Sequence, residues 1–236
     1  MGQANPVRQQ TGNRLVWQDV AERFDDPGEC LASFLALEAA EVIAGEKPAN
    51  LLSIANRLRP CGRNLYSLWK EWGTKVLAES GLAVRELADR KDSILLFIYR
   101  PEVLGVLVRR PSASAVLARA GYGDVSDLDS VLGELTSRMG GDSFPHEIGV
   151  FLGYPLKDVA AFMGLVLIPF ACQGPWKIFG DPRESLRLAE VFRCCRNQMA
   201  EQLKSCGSAL ECLVGKQKAL LSEVAENEYR NYGGAP

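Results

Sequence analysis

The sequence has one histidine, His146, and it stands beside Glu147 in the stretch SFPHEIGVFLGYPLKDVAAFMG at 143–164. A neutral imidazole can bind a metal, donate a hydrogen bond or accept a proton, so chemistry has its best foothold here. On a helix, adjacent residues diverge by roughly 100°, so His146 and Glu147 cannot act as a simple dyad and each needs a partner from elsewhere. Groups suited to a small anion lie apart in the chain: Lys47 and Asn50 after Gly45, Arg100 behind an apolar run, and Trp176-Lys177 after a Gly-Pro turn. Gathered into one cleft, Lys47, Arg100 and Lys177 would supply its charge, with Asn50 and Trp176 as further walls. Cys172 lies next to that turn and is a weak candidate for a redox or metal-binding thiol, or for a nucleophile paired with His146. Plainer roles compete with each of these. His146 suits a capping or core position, Glu147 and Asp158 suit solvated helix starts, and the three cations suit ordinary surface.

Several kinds of chemistry are absent from the pattern. There is no C-x-x-C pair and no zinc-ribbon spacing among the seven cysteines, so no metal site is assigned. Phosphate-binding signatures of the G-x-x-x-x-G-K-[ST] and G-x-G-x-x-G types are missing, as is G-x-S-x-G. Residues 148–163 have the outline of a helix-turn-helix, but the second half offers only Lys157 and Asp158 as charged groups, too few for a recognition helix. Net charge is −2 with a pI near 5.6, which predicts neither a nucleic-acid nor a membrane partner. Pro6 occupies the position where a myristoylation signal needs Ser or Thr. With an odd cysteine count and no secretory pattern at the start, the expectation is a cytoplasmic protein with reduced thiols. No cofactor is specified.

These residues need a scaffold, and the chain reads as one α+β domain over 13–230, with a disordered tail at 1–12 and a frayed end at 231–236. Helical spacing predicts helices at 15–24, 29–43, 51–58, 64–80, 102–108, 112–120, 128–139, 185–203 and 209–229. Residues 82–87 and 93–99 read as an antiparallel hairpin whose second strand is apolar on both faces. Further strands are expected at 165–168 and 176–179, giving a small antiparallel sheet of two to four strands wrapped by helices. Within 143–164, Pro145 suits a first helical turn with Phe144 and Ile148 inward, and Gly153-Tyr154-Pro155 makes a corner before a second helix. His146 would then sit in a first turn, where the helix dipole favours its neutral form. Cys195 falls on the apolar face of the 185–203 helix and Cys194 on its flank.

The blocks Phe144-Pro145-His146-Glu147-Ile148-Gly149, Phe151-Leu152-Gly153-Tyr154-Pro155 and Asp158-Val159 resemble the signature of domain of unknown function 3793, a bacterial family common in anaerobes. Gly45-x-Lys47-Pro48-Ala49-Asn50-Leu51 and Gly174-x-Trp176-Lys177-x-Phe179 agree with it, as does a strand ending in Tyr99-Arg100. The likeness spans residues 30–195 and departs from the family's Trp-Lys-Val-Tyr at Ile178 and Phe179, and in the unusually apolar run 165–173. It implies kinship without an activity. The expected function is binding of a small anionic ligand, metal or redox cofactor around His146 and Glu147, and the anaerobic setting implies iron, haem or redox metabolism. Two alternatives stand beside it: a non-catalytic interaction or scaffold protein using Trp69, Trp72 or the last helix, and a thiol- or His-dependent enzyme.

Overall fold

The architecture follows from one strand that is apolar on both sides. In the computed structural model, which describes residues 17–141 and 143–214, β3 (Ser93–Tyr99) lies between β1 (Ala49–Ala55) and β2 (Ala83–Arg90), antiparallel to both. Its side chains alternate, as a pleated strand requires. Ile94, Leu96 and Ile98 enter one core and Phe97 and Tyr99 enter another. Helices must therefore cover both faces.

The first face is covered by α1 (Gln18–Ala21), α2 (Pro27–Glu38), α3 (Ala40–Ile43) and α4 (Leu65–Leu77). Asp26 caps α2 by accepting from the Glu29 amide at 2.9 Å, and Asn64 caps α4. The expected single helix over 29–43 is interrupted at Ala39, whose backbone leaves the helical region. Trp69, expected as an exposed interface residue, is buried and donates its indole N–H to Glu86 at 2.8 Å.

On the opposite face lie α5 (Pro101–Arg109), α6 (Pro111–Arg119), α7 (Leu128–Met139), α8 (Ile148–Phe151) and α9 (Leu156–Phe162). Proline opens both α5 and α6, where a missing N–H is harmless. A short hairpin, β4 (Phe170–Gln173) with β5 (Lys177–Phe179), packs beyond α9. The chain then returns through α10 (Arg183–Ser205) and α11 (Ala209–Val214) to the first face. Along α10 the buried residues Phe192, Cys195, Met199 and Leu203 recur at helical spacing, with Cys195 in the core as expected and Cys194, expected on the flank, exposed.

Two expected elements are different. Residues 51–58 do not form a helix; most of them belong to β1, because a β3 buried on both faces needs both of its backbone edges paired. Residues 165–168 are not a strand. The last bond beyond the β4–β5 pairing is Gly180 N–H to the Pro169 carbonyl at 2.9 Å, after which Gly180, at φ +63°, turns the partner chain away. The expected tail at 1–12, the frayed end at 231–236 and the last helix beyond Val214 lie outside the described residues.

Candidate functional site

The corner of the central stretch is built as the sequence requires. Gly153 has φ +71°, and Tyr154 N–H reaches back to the Gly149 carbonyl at 2.9 Å. Pro155 then starts α9. The helix expected around Pro145 is shorter than its composition implies. His146 and Glu147 form a turn closed by the Ile148 N–H to the Pro145 carbonyl at 3.2 Å, and only Ile148–Phe151 are helical. His146 therefore precedes α8 rather than sitting in its first turn, and a four-residue helix has little dipole to offer.

That turn points His146 outward and Glu147 inward. Glu147 is buried, and Arg138 Nη1 lies 3.4 Å from its carboxylate while stacking over the Tyr122 ring at 4.5 Å. The Tyr122 phenol is pushed well above its usual range by burial first and by the Glu147 charge second. Glu147 thus ties α8 to α7 from behind and does not line the cleft that His146 faces. The pair is divided by the fold.

The cleft has a volume of about 360 Å³. Ile148, Gly149 and Leu152 of the α8 region form one wall, with Val159 and Phe162 of α9 beside them. Tyr154 and Trp176 stack on each other, centroids 4.4 Å apart and planes 19° from parallel, and close another side. At the mouth, His146 meets the Phe162 ring edge-on at 4.8 Å, and Lys177 Nζ lies 5.1 Å from the same ring's centre. Gln173 and Phe144 complete the rim; Phe144 is exposed here rather than inward as expected.

Trp176 is held by Asp158, which sequence reasoning assigned to solvent. Asp158 is 1% exposed. One carboxylate oxygen accepts from Trp176 Nε1 at 2.9 Å and Ser185 Oγ at 2.6 Å. The other accepts from Lys157 Nζ at 2.8 Å and the Phe179 amide at 2.9 Å. Burial pushes this carboxyl up, but the bonds from Lys157, Ser185, Phe179 and Trp176 outweigh it and hold the group below the usual range. A carboxylate with two donors on each oxygen has no lone pair left for a substrate proton. Its role is to fix the Trp176 wall between α9, the hairpin and α10.

The other predicted residues lie elsewhere. Lys47 is 6% exposed, donates to Asn50 Oδ1 at 2.7 Å and lies 5.3 and 5.2 Å from the Tyr154 and Phe192 ring centres. Burial draws its pKa down to about 8, against the pull of Glu41, whose own carboxyl is raised by burial. Arg100 caps α3, donating to the carbonyls of Val42 at 2.9 Å and Ile43 at 3.1 Å. The expected cleft of three cations does not form: of the three, only Lys177 lines it. Cys172 is half-buried against the cluster of Trp176, Ile178 and Phe192, outside the cleft lining. Burial raises the Cys195 thiol to about 11, which leaves it unreactive. Among the described residues no group of three or more His, Cys, Asp or Glu is placed to hold a metal.

Lys47 carries a pH signature. An unfolded lysine keeps its proton up to 10.5, whereas the folded group releases it near 8, so stability rises with pH across that window. The gain in wild type relative to Lys47→Met should approach about 3 kcal/mol between pH 7 and pH 10.5, read from urea denaturation. A difference that stays flat with pH would show that the lysine titrates normally.

Fold and site together define an α+β protein with helices on both faces of a three-stranded antiparallel sheet and one aromatic cleft beside a small hairpin. Residues 35–214 match the model of the family described as Protein of unknown function (DUF3793), and the chain belongs to that family. No curated protein and no solved structure matches it. The blocks that carry the resemblance converge in space: a Cβ on Gly153 would touch Pro48, Lys47 meets Tyr154, Tyr154 stacks on Trp176, and Trp176 bonds to Asp158. The site residues missed from sequence were Tyr154, Asp158 and Phe162. Tyr154 and Asp158 were legible as members of those blocks, whereas nothing in the pattern distinguished Phe162 from a core residue.

Proposed function

We propose that this protein binds a small, flat, largely apolar molecule carrying an anionic group in the cleft between α8, α9 and the β4–β5 hairpin. The supporting observation is the cleft's composition: stacked Tyr154 and Trp176 and a run of aliphatic side chains inside, with His146 and Lys177 at the Phe162 rim. Aromatic walls favour a planar body, and rim donors orient a charged edge. A planar heterocycle with an acidic edge has this chemistry, in keeping with the redox setting that the family likeness implies.

The test uses the aromatic anion 8-anilinonaphthalene-1-sulfonate and its neutral relative N-phenyl-1-naphthylamine, titrated while Trp emission is followed. Lys177→Ala and His146→Ala should each weaken the sulfonate by about tenfold, as loss of one charge-assisted contact does, and leave the neutral dye within about twofold. Leu167→Ser controls for dye on the neighbouring surface. Unchanged sulfonate affinity in both rim variants would remove this site from consideration.

A further inference from the structure

Between Val159 and Trp176 the sequence contains no charged residue. In the middle of this stretch the chain leaves α9 at Gly164 (φ +73°) and crosses to β4 as an apolar loop, residues 165–169. Leu167 is 102% exposed and so rests on nothing within the protein. Val166, Phe162 and Phe144 are exposed near it or at the cleft rim, and Phe170 begins β4 at 55% exposure. Large aliphatic side chains standing singly on a surface are ordinary, but a protruding run of them is a binding surface or a liability.

We propose that residues 165–170 seat this protein on an anionic bilayer surface, with Leu167 and Phe170 entering the interface and Lys177 and His146 facing the headgroups. Charge complementarity selects this occupant. Lys177 is exposed and its ammonium lies over the Phe162 ring, with the exposed His146 imidazole against the same ring as a hydrogen-bond donor, so the rim of the patch offers a cation and a donor to anionic headgroups. Among the described residues, Asp158 is buried among four donors and Asp181 is paired with Arg183. Residue type points the same way. Leu and Val are under-represented at protein–protein hot spots, whereas they partition readily into hydrocarbon. No described helix is long and apolar enough to cross a membrane, so the contact is a surface one, and a single loop gives reversible attachment. The net charge of −2 pointed away from membranes, but it averages over the chain and hides this local asymmetry.

Flotation with vesicles of phosphatidylcholine and phosphatidylserine at 7:3 tests the proposal on the full chain. Wild type should float, and partitioning should fall by about tenfold in Leu167→Ser/Phe170→Ser. Lys177→Gln, pure phosphatidylcholine or high salt should each lower it several-fold, as an electrostatic contribution requires. The serine substitutions are at exposed positions, and circular dichroism checks that the fold is kept. Absence of flotation in wild type, or equal flotation of the double variant, overturns the proposal. So does a dimer in light scattering that the same substitutions dissolve, which would assign the patch to a second copy. The cleft is tested separately, because the sulfonate dye should still bind Leu167→Ser.

Discussion

Asp158→Ala should destabilise the protein by about 4 kcal/mol, measured by urea denaturation followed by far-ultraviolet circular dichroism. The carboxylate is 1% exposed and accepts four hydrogen bonds, from the Trp176 indole, the Ser185 hydroxyl, the Lys157 ammonium and the Phe179 amide. Truncation strands these donors in a site that water fills poorly, and an unpaired buried donor costs about 1–3 kcal/mol. Asp158→Asn retains one acceptor oxygen and should lose roughly half as much. The same geometry fixes the pH response. Because the folded carboxyl lies below its unfolded value, its stabilisation is complete above the unfolded pKa and is lost as pH falls through the folded one. Wild type should therefore lose stability on acidification below about pH 4, and Asp158→Ala should show a shallower loss. Trp176 emission reports the local event, since its N–H loses its acceptor. A cost under about 1 kcal/mol would mean that water replaces the carboxylate easily and that this cluster does not hold the hairpin.

How much of this was legible depends on where the deciding information lies. The α+β class, the β2–β3 hairpin and most helix positions came from period and punctuation. A strand reading Ile-Leu-Leu-Phe-Ile can only be central, Pro101 ends it, and Pro111 marks a helix start whatever surrounds it. β1 was misread because Leu51, Leu52 and Ile54 fit either period, and what decides is the demand of a distant strand edge. The site was legible as a region and not as a list. His146, Trp176 and Lys177 do share the cleft, but Glu147 turns away because a turn replaces the expected helix start. Arg100 was a plausible anion ligand by type, yet the α3 carbonyls reach it first. Asp158 illustrates the limit best. Its sequence neighbourhood is that of an exposed helix start, and only the arrival of β5 and α10 from later in the chain buries it. Local pattern cannot register a group whose environment comes from twenty residues downstream.

The corner that joins the family blocks offers a sharper test than its buried charges. Gly153→Ala should cost about 3 kcal/mol, from two separable sources. Gly153 has φ +71°, a region where a Cβ costs about 1–2 kcal/mol. An added Cβ would also stand 2.6 Å from Pro48 Cδ and 3.0 Å from its Cγ, so either the ring or the corner must move. Neither moves freely. Pro48 lies between buried Lys47 and Ala49 at the start of β1, and Tyr154 is stacked on Trp176. The displacement therefore reaches the cleft wall, and the sulfonate dye should bind Gly153→Ala several-fold more weakly even where the protein remains folded. Pro48→Ala removes the colliding atoms without touching φ. In the double variant the collision should vanish and the backbone cost remain, so the interaction energy between the two substitutions should be at least about 1 kcal/mol and favourable. Strictly additive costs would place the strain in the turn alone, and the Lys47-Pro48 segment would then be a neighbour of the corner and not the surface that shapes it.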